Sequence, residues 1–131
     1  MRSSPKELRR RPHWHKSVGG AAEAAALRHV QALGFEVVAT NLRVGKLEID
    51  IVARDGPVIV VVEVRSRGSS SWTSGFGSID AKKRARVRRA GERLWQRRYK
   101  SDSTVERMRF DAASVTFSSD GTRVEYARAA F

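Results

Sequence analysis

The chain has 131 residues, with 26 Lys and Arg against 14 Asp and Glu, and a formal net charge of +12. A chain of this length accommodates one compact domain. Its 40% hydrophobic content favours a folded scaffold over a basic disordered tail. Its positive charge predicts a polyanionic partner, first of all nucleic acid. The absence of cysteine excludes disulfides, thiol nucleophiles and Cys-ligated zinc, and because no apolar segment is long enough to span a bilayer, we expect a cytoplasmic protein with no membrane partner.

Residues 1–16 are basic, contain two prolines and show little periodicity. We expect a mobile basic arm there, without the apolar segment of a signal peptide, followed by a single domain over residues 17–131. His13 and His15 could bind a metal only with a further ligand, which the arm does not offer.

A helix is predicted from Ser17, a typical N-cap residue, to residue 33, because Gly34 is a typical residue just beyond a helix end. Its inward stripe consists of Ala26, Leu27, Val30 and Leu33. Glu23 lies three residues before Ala26 and four before Leu27, which places it on this stripe or beside it. Its carboxylate either points toward the sheet or is an ordinary solvated one.

A first strand is predicted over residues 35–41, and residues 41–46 turn the chain into the next strand. Arg43 and Lys46 lie in this turn. Basic residues at such a place either contact phosphate or are merely solvated.

Two strands joined by a tight turn are predicted over residues 47–67. β-Branched runs flank the sequence Asp55-Gly56-Pro57, and turn residues between such runs are typical of a hairpin. With Gly56 and Pro57 as the two-residue loop, Gly56 takes the positive φ of a type II′ turn.

The turn also predicts the register, because residues whose numbers sum to 113 then face each other. Side chains alternate between the two faces of a strand. One face would carry Glu48, Asp50, Glu63 and Arg65. The other face would be wholly apolar, with Leu47, Ile49, Ile51, Val58, Val60, Val62 and Val64.

Three carboxylates and a guanidinium on such apolar strands are a costly arrangement, since unpaired buried charge destabilises a fold by several kcal/mol. A functional role explains the cluster. The alternative is that Glu48 and Arg65 form an ordinary cross-strand ion pair while Asp50 and Glu63 lie at a solvated edge.

Residues 68–77 have the composition of a flexible linker but contain two aromatic residues, Trp72 and Phe76. Two interpretations stay open. The segment orders against a partner, as loops beside active sites often do, or the aromatic rings fold back onto the core.

A second helix is predicted from residue 79 to residue 99, with Ser78 as its cap and Asp80 in its first turn. Its apolar side carries Ile79, Val87, Ala90, Leu94 and Trp95. The rest is basic, with Lys82, Lys83, Arg84, Arg86, Arg88, Arg89, Arg93, Arg97 and Arg98. Glu92 is the only acidic residue of this helix after Asp80, so the repulsion among its basic side chains is uncompensated unless phosphates neutralise it. This helix is therefore the strongest indication of nucleic-acid binding in the chain.

Two closing strands are predicted over residues 108–117 and 122–127, around a turn at residues 118–121. They complete a mixed sheet of about five strands with a central hairpin, flanked by helices. Asp111 alternates with apolar neighbours, and we expect a surface aspartate there in preference to one that approaches the centre.

The order of these elements and motifs resembles the YraN family of small bacterial proteins, within the PD-(D/E)XK nuclease-like superfamily that includes Holliday-junction resolvases. The matching residues are Gly19 and Glu23, Asn41-Leu42-Arg43, Glu48-Ile49-Asp50, Val62-Glu63-Val64-Arg65-Ser66-Arg67, Phe76-Gly77, Lys83 and Arg109-Phe110-Asp111. The resemblance implies an α/β (α+β) restriction-endonuclease-like core and hydrolysis of phosphodiester bonds by a Mg²⁺- or Mn²⁺-assisted water.

The implied metal ligands are Asp50, Glu63, the Val64 carbonyl and Glu23, which suits hard divalent ions because they prefer oxygen ligands. The implied catalytic residues are Asp50, Glu63, Arg65 and Glu23. The residues we assign to nucleic-acid binding are Arg43, Lys46, Arg67, Lys82, Lys83, Arg84 and Arg86, and secondary candidates at the site are Glu48, Trp72 and Phe76.

The sequence departs from the superfamily pattern at Arg65, which stands where the motif ends in lysine. Arginine keeps its charge at any relevant pH, so Arg65 cannot act as a general base, although it can hold the attacking water or the phosphate. Lys83 offers an ammonium to the same phosphate. Leu47 stands where the family usually has glycine, which concerns strand packing more than chemistry.

Three hypotheses follow. The first is a metal-dependent endonuclease acting on DNA, including branched or single-stranded structures. The second is a nucleic-acid-binding protein that keeps the nuclease scaffold without useful catalysis. The third is an RNA- or ribosome-associated module, because charge does not distinguish DNA from RNA. A homodimer is expected only by analogy with junction resolvases.

Overall fold

In the residues that the structure describes, two α-helices and a five-stranded mixed sheet make an α+β fold, as predicted, consistent with a restriction-endonuclease-like core. The structure is a computed structural model that describes residues 17–68 and 81–131. In chain order its elements are α1 (Ser17–Ala32), β1 (Glu36–Val44), β2 (Leu47–Asp55), β3 (Val58–Gly68), α2 (Ala81–Leu94), a π-helical turn (Trp95–Tyr99), β4 (Arg107–Ser118) and β5 (Gly121–Ala127). The predicted basic arm and the aromatic residues Trp72 and Phe76 lie outside the described residues.

The hairpin of β2 and β3 turns at Gly56 and Pro57, as the sequence predicts. Gly56 has a φ of +62°, which glycine adopts without the steric cost that a side chain would bring. Ile51 pairs with Val62 and the pairing continues in register to the turn. The predicted register is therefore confirmed along this part of the hairpin.

Arg54 holds the hairpin turn against the loop that precedes β4. Its guanidinium donates from Nε to the carbonyl of Gly56 at 2.8 Å, and from Nη2 to the carbonyl of Thr104 at 2.8 Å. The Glu106 N–H donates to the carbonyl of Pro57, also at 2.8 Å. These bonds tie the hairpin turn to the approach of β4.

The strands lie in the order β1-β2-β3-β4-β5, and β3 pairs with β4 in parallel while the other pairs are antiparallel. A parallel pair needs a crossover connection, and α2 lies within it. The basic helix is thus held against one face of the sheet.

Each face of the sheet has its own core. On one face α1 packs through Ala22, Ala25, Ala26 and Val30 onto Ile51, Val60, Val62, Ala113 and Val115. On the other face α2 packs through Val87, Ala90 and Leu94 onto Ile49, Val52, Ile59, Val61 and Phe110. The sheet centre is buried on both sides, which explains its continuous apolar runs.

A close approach at Gly91 brings α2 down onto β4. A Cβ atom at this position would lie 2.6 Å from two ring carbons of Phe110 and 3.2 Å from the sulfur of Met108. Only glycine fits this contact without displacing the phenyl ring.

Several predicted boundaries differ from the structure. The prediction that Leu33 completes the inward stripe of α1 is wrong, because the helix ends at Ala32 and the Leu33 side chain is 39% exposed. β1 runs on to Val44 with an irregularity after Val37, so the turn is shorter than predicted. The basic helix changes to π-helical geometry for its last five residues.

Asp111 is neither on the surface nor in the candidate site, so the prediction of a surface aspartate is wrong. Its side chain is fully buried and accepts bonds from Arg109 Nε at 2.9 Å, Tyr126 Oη at 2.7 Å and the Ala129 N–H at 2.9 Å. The buried carboxylate thereby ties β4 to β5, and burial and this bond raise the pKa of the Tyr126 hydroxyl.

Candidate metal and nucleic-acid site

The strands β2 and β3 part at the position of the acidic residues. Their pairing extends from the turn to Ile51 and Val62, and beyond it β2 pairs with β1 while β3 pairs with β4. Where the next rung would lie, the Val64 N–H donates to Asp50 Oδ2 at 2.8 Å. Asp50 and Glu63 therefore flank the point where the two strands separate.

The alternation of β2 breaks at the same place. Leu47 and Ile49 pack on the α2 side of the sheet, whereas Ile51 packs on the α1 side, although a regular strand would place Ile49 and Ile51 on one face. Glu48 is exposed and lies opposite Arg43 of β1. The predicted continuous apolar face is therefore wrong at Leu47 and Ile49, and Glu48 does not share a face with the acidic pair.

Glu63 is a buried carboxylate that faces α2. Its side chain is 4% exposed, and its Oε2 lies 2.8 Å from the ammonium Nζ of Lys83, whose side chain is 35% exposed. At this distance the ammonium and the carboxylate make a close charge-assisted contact. Arg65, two residues further along β3, is half-buried.

Burial and repulsion raise the pKa of Asp50 from 3.8 to about 8. Removal from water is the largest cause, and the negative charges of Glu63 and Glu23 add to it. The Val64 N–H and the ammonium of Lys83 act in the opposite direction. A cation placed between the carboxylates would remove this penalty, because it would stabilise both ionised groups.

The donor atoms around the gap suit a hard divalent cation. Asp50 and Glu63 supply carboxylate oxygens, and Glu63 Oε2 is buried against the Lys83 ammonium. The N–H and C=O of a strand residue point to the same side, so the Val64 carbonyl also faces the β2 side. Within residues 17–68 and 81–131 no three His, Cys, Asp or Glu side chains are grouped closely enough to hold a metal. Glu23 is nevertheless near enough for its negative charge to raise the pKa of Asp50.

The predicted nucleic-acid-binding residues lie on α2, on β1 with the turn that follows it, and on β3. Lys82, Arg84 and Arg86 are exposed on the first turns of α2, and Arg43 and Lys46 are exposed at the end of β1 and in the turn that follows. Arg67 belongs to β3, but its side chain lies outside the described part of the chain.

Further basic residues line two grooves beside the second half of the basic helix. One groove, of about 390 Å³, is lined by Arg89, Glu92, Arg93, Gln96 and Arg97. The other, of about 120 Å³, is lined by Leu42, Arg43, Val44, Leu94, Arg97 and Arg98. The sequence marks this helix as basic, but only the packing of the β1 end against it shows that Arg43 joins the arginines of its last turns.

The profile of the uncharacterised protein family UPF0102 matches residues 22–115. The chain belongs to this family. It is 58% identical to a UPF0102 protein of Sorangium cellulosum over 117 residues, which cover 88% of this chain and 81% of the relative. It is 39% identical to a UPF0102 protein of Alkalilimnicola ehrlichii over 126 residues, which cover 94% of this chain and 95% of that relative.

The UPF0102 match confirms the resemblance to the YraN family. The matched segment begins within α1, before Glu23, and extends into β4, so it contains Asp50, Glu63 and Lys83 together with the whole of α2. The candidate site thus lies inside the segment that defines the family. Neither described helix is long and apolar enough to cross a membrane.

Proposed function

We propose that this UPF0102 protein is a metal-dependent endonuclease that hydrolyses phosphodiester bonds in DNA. The observation that carries the proposal is the pair of carboxylates, Asp50 and Glu63, placed where β2 and β3 separate and faced by the ammonium of Lys83. If these carboxylates served only to stabilise the fold, we would expect hydrogen-bond donors of the protein to pair with them fully. The raised pKa of Asp50 instead indicates charges that the protein alone does not neutralise.

Asp50 and Glu63 would hold a Mg²⁺ or Mn²⁺ ion together with the Val64 carbonyl, and Glu23 would contribute from α1. The bound ion would polarise a phosphate oxygen and activate a water for attack. The Val64 N–H orients Asp50 through its bond to Oδ2.

Two cationic side chains would act on the phosphate. Arg65 lies two residues beyond Glu63 and is half-buried, so its guanidinium is suited to stabilise the negative charge that develops in the transition state. It supplies no base, since a guanidinium keeps its charge. Lys83 supplies the second cation from α2.

The basic helix would bind the nucleic-acid backbone. Its exposed Lys and Arg residues begin beside Glu63 and continue to the grooves at its end, where Arg97 and Arg98 meet Arg43. Contacts of this kind release counterions, so the affinity should fall steeply as salt increases. They bind the backbone without reading its sequence.

The decisive experiment measures cleavage of supercoiled plasmid, single-stranded DNA and four-way junctions with Mg²⁺ or Mn²⁺. We expect cleavage by the wild type and a loss of at least about a hundredfold in Asp50→Asn and Glu63→Gln, since removal of a ligand that stabilises charge has effects of this size. Glu48→Gln is the matched control, because it removes an exposed carboxylate from the same strand. Cleavage that persists in both site variants would refute the assigned site.

A second candidate function is nucleic-acid binding on a nuclease scaffold without useful catalysis. It is favoured by Arg65 at the motif's lysine position and by the lack of a ready three-carboxylate group in the described part of the chain. Binding without cleavage by the wild type would support it. Salt titrations with DNA and RNA of equal length would show which polymer is preferred.

A further inference from the structure

The contact between Lys83 and Glu63 joins a buried side chain to a partly exposed one. Glu63 belongs to β3 and its side chain is 4% exposed. Lys83 is the third residue of α2 and its side chain is 35% exposed. A lysine stem can swing away from such a contact, since its four-carbon chain has several rotatable bonds. Lys83 is therefore the partner that can leave.

The Lys83 ammonium also supplies positive charge to the two carboxylates. Asp50 and Glu63 repel each other, and Lys83 is one of two groups that offset this repulsion at Asp50. A divalent ion between the carboxylates would neutralise both of them. Lys83 would then face a cation at close range, and like charges in a partly buried site repel strongly.

We propose that Lys83 holds Glu63 in the ion-free protein and competes with the divalent ion for it, so that ion binding releases the ammonium for the substrate phosphate. The inference rests on the proposed function, because it assumes that Asp50 and Glu63 are the metal ligands. The competition is reciprocal: the free energy by which Lys83 stabilises the ion-free carboxylates is lost when the ion displaces it, and the affinity for the ion is lower by that amount.

The test measures Mn²⁺ affinity by the electron paramagnetic resonance signal of free Mn²⁺, at one pH and ionic strength and without nucleic acid. Lys83→Met should bind Mn²⁺ at least about tenfold more tightly than the wild type, because a neighbouring positive charge has been removed. Lys83→Arg keeps the charge and should resemble the wild type. Lys82→Met is the matched control, since Lys82 is exposed beside it and its loss changes the net charge equally.

The outcomes separate this inference from the proposed function. Mn²⁺ binding by the wild type that Glu63→Gln abolishes, with no gain in Lys83→Met, overturns the competition and leaves the metal site standing. No binding by either the wild type or Lys83→Met overturns the metal site and the inference with it. An equal gain in Lys82→Met reduces the effect to overall charge and overturns the specific role of Lys83.

Folding and cleavage supply two further measurements. Loss of Lys83 leaves Glu63 buried without its cation, so Lys83→Met should unfold at a lower temperature and recover more stability on adding Mn²⁺ than the wild type does. If this variant is unfolded without metal, its failure to refold with Mn²⁺ overturns the inference. Cleavage by Lys83→Met at saturating Mn²⁺ should be slower than by the wild type, a combination of tighter ion binding and slower turnover that a purely structural residue would not produce.

Discussion

Replacement of Asp50 by Asn should change how the stability of the protein depends on pH. Asp50 is half-buried, the negative charges of Glu63 and Glu23 act on it, and its pKa is raised from 3.8 to about 8. Between these two values the folded chain binds a proton that the unfolded chain has lost. The free energy of unfolding must therefore fall as the pH rises from about 4 to about 8. An Asn side chain can still accept the hydrogen bond from the Val64 N–H but does not titrate, so Asp50→Asn removes this pH dependence.

The size of the effect follows from the same shift. One proton held only by the folded state makes the free energy of unfolding fall by up to about 1.4 kcal/mol per pH unit. Asp50 keeps part of its surface in contact with water, which weakens the penalty. We expect the stability advantage of Asp50→Asn over the wild type to grow by about 1 to 3 kcal/mol between pH 5 and pH 8.

Urea unfolding followed by circular dichroism at pH 5, 6, 7 and 8 measures this difference directly. Asp120→Asn is the control, because it removes an exposed carboxylate from the turn between β4 and β5, and its pH profile should run parallel to that of the wild type. Saturating Mn²⁺ should flatten the wild-type profile if an ion binds beside Asp50. A constant difference between wild type and Asp50→Asn across the pH range would refute the electrostatic reasoning.

Three other predictions concern the scaffold and the basic helix. Gly91→Ala should cost about 1 to 3 kcal/mol of stability in urea unfolding, because the added Cβ would lie 2.6 Å from the ring of Phe110; an unchanged midpoint would show that the ring moves freely. Asp111→Ala should cost about 3 to 5 kcal/mol, because it removes the buried carboxylate that holds the Arg109 guanidinium and leaves the longer contact of 3.5 Å with Asp55. Tyr126→Phe should cost only about 1 to 2 kcal/mol, and equal losses in thermal unfolding would contradict this account. Duplex DNA binding by fluorescence anisotropy should weaken at least about tenfold between 50 and 200 mM salt, and a salt-independent affinity would exclude the basic helix as the phosphate-binding element.

Local sequence was sufficient for most of the scaffold. The β-branched runs predicted the strands, Gly56 and Pro57 predicted the turn, and the turn predicted the pairing of Ile51 with Val62. These features were predictable because they depend on neighbouring residues, whose backbone preferences and alternation are encoded locally. The charge of the second helix was equally direct.

The site could be predicted only in part. The register of the Gly56-Pro57 turn placed Asp50 and Glu63 together. The break in alternation at Ile49 could not be predicted, because a period of two assumes that every rung of the ladder forms. The polar role of Asp111 was also hidden, since its partners Tyr126 and Ala129 lie more than ten residues further along the chain.

The amino-acid sequence by itself determined the family, the hairpin with its acidic pair and the concentration of positive charge on α2. Only the tertiary structure decided that Glu63 is buried against Lys83, that β2 and β3 separate at Asp50, and that Glu48 turns away from the pair. The division has a physical reason. Turns and strand periods arise from interactions between neighbours in sequence, whereas the environment of a charge depends on which distant elements exclude water from it and how closely they bring a counter-charge.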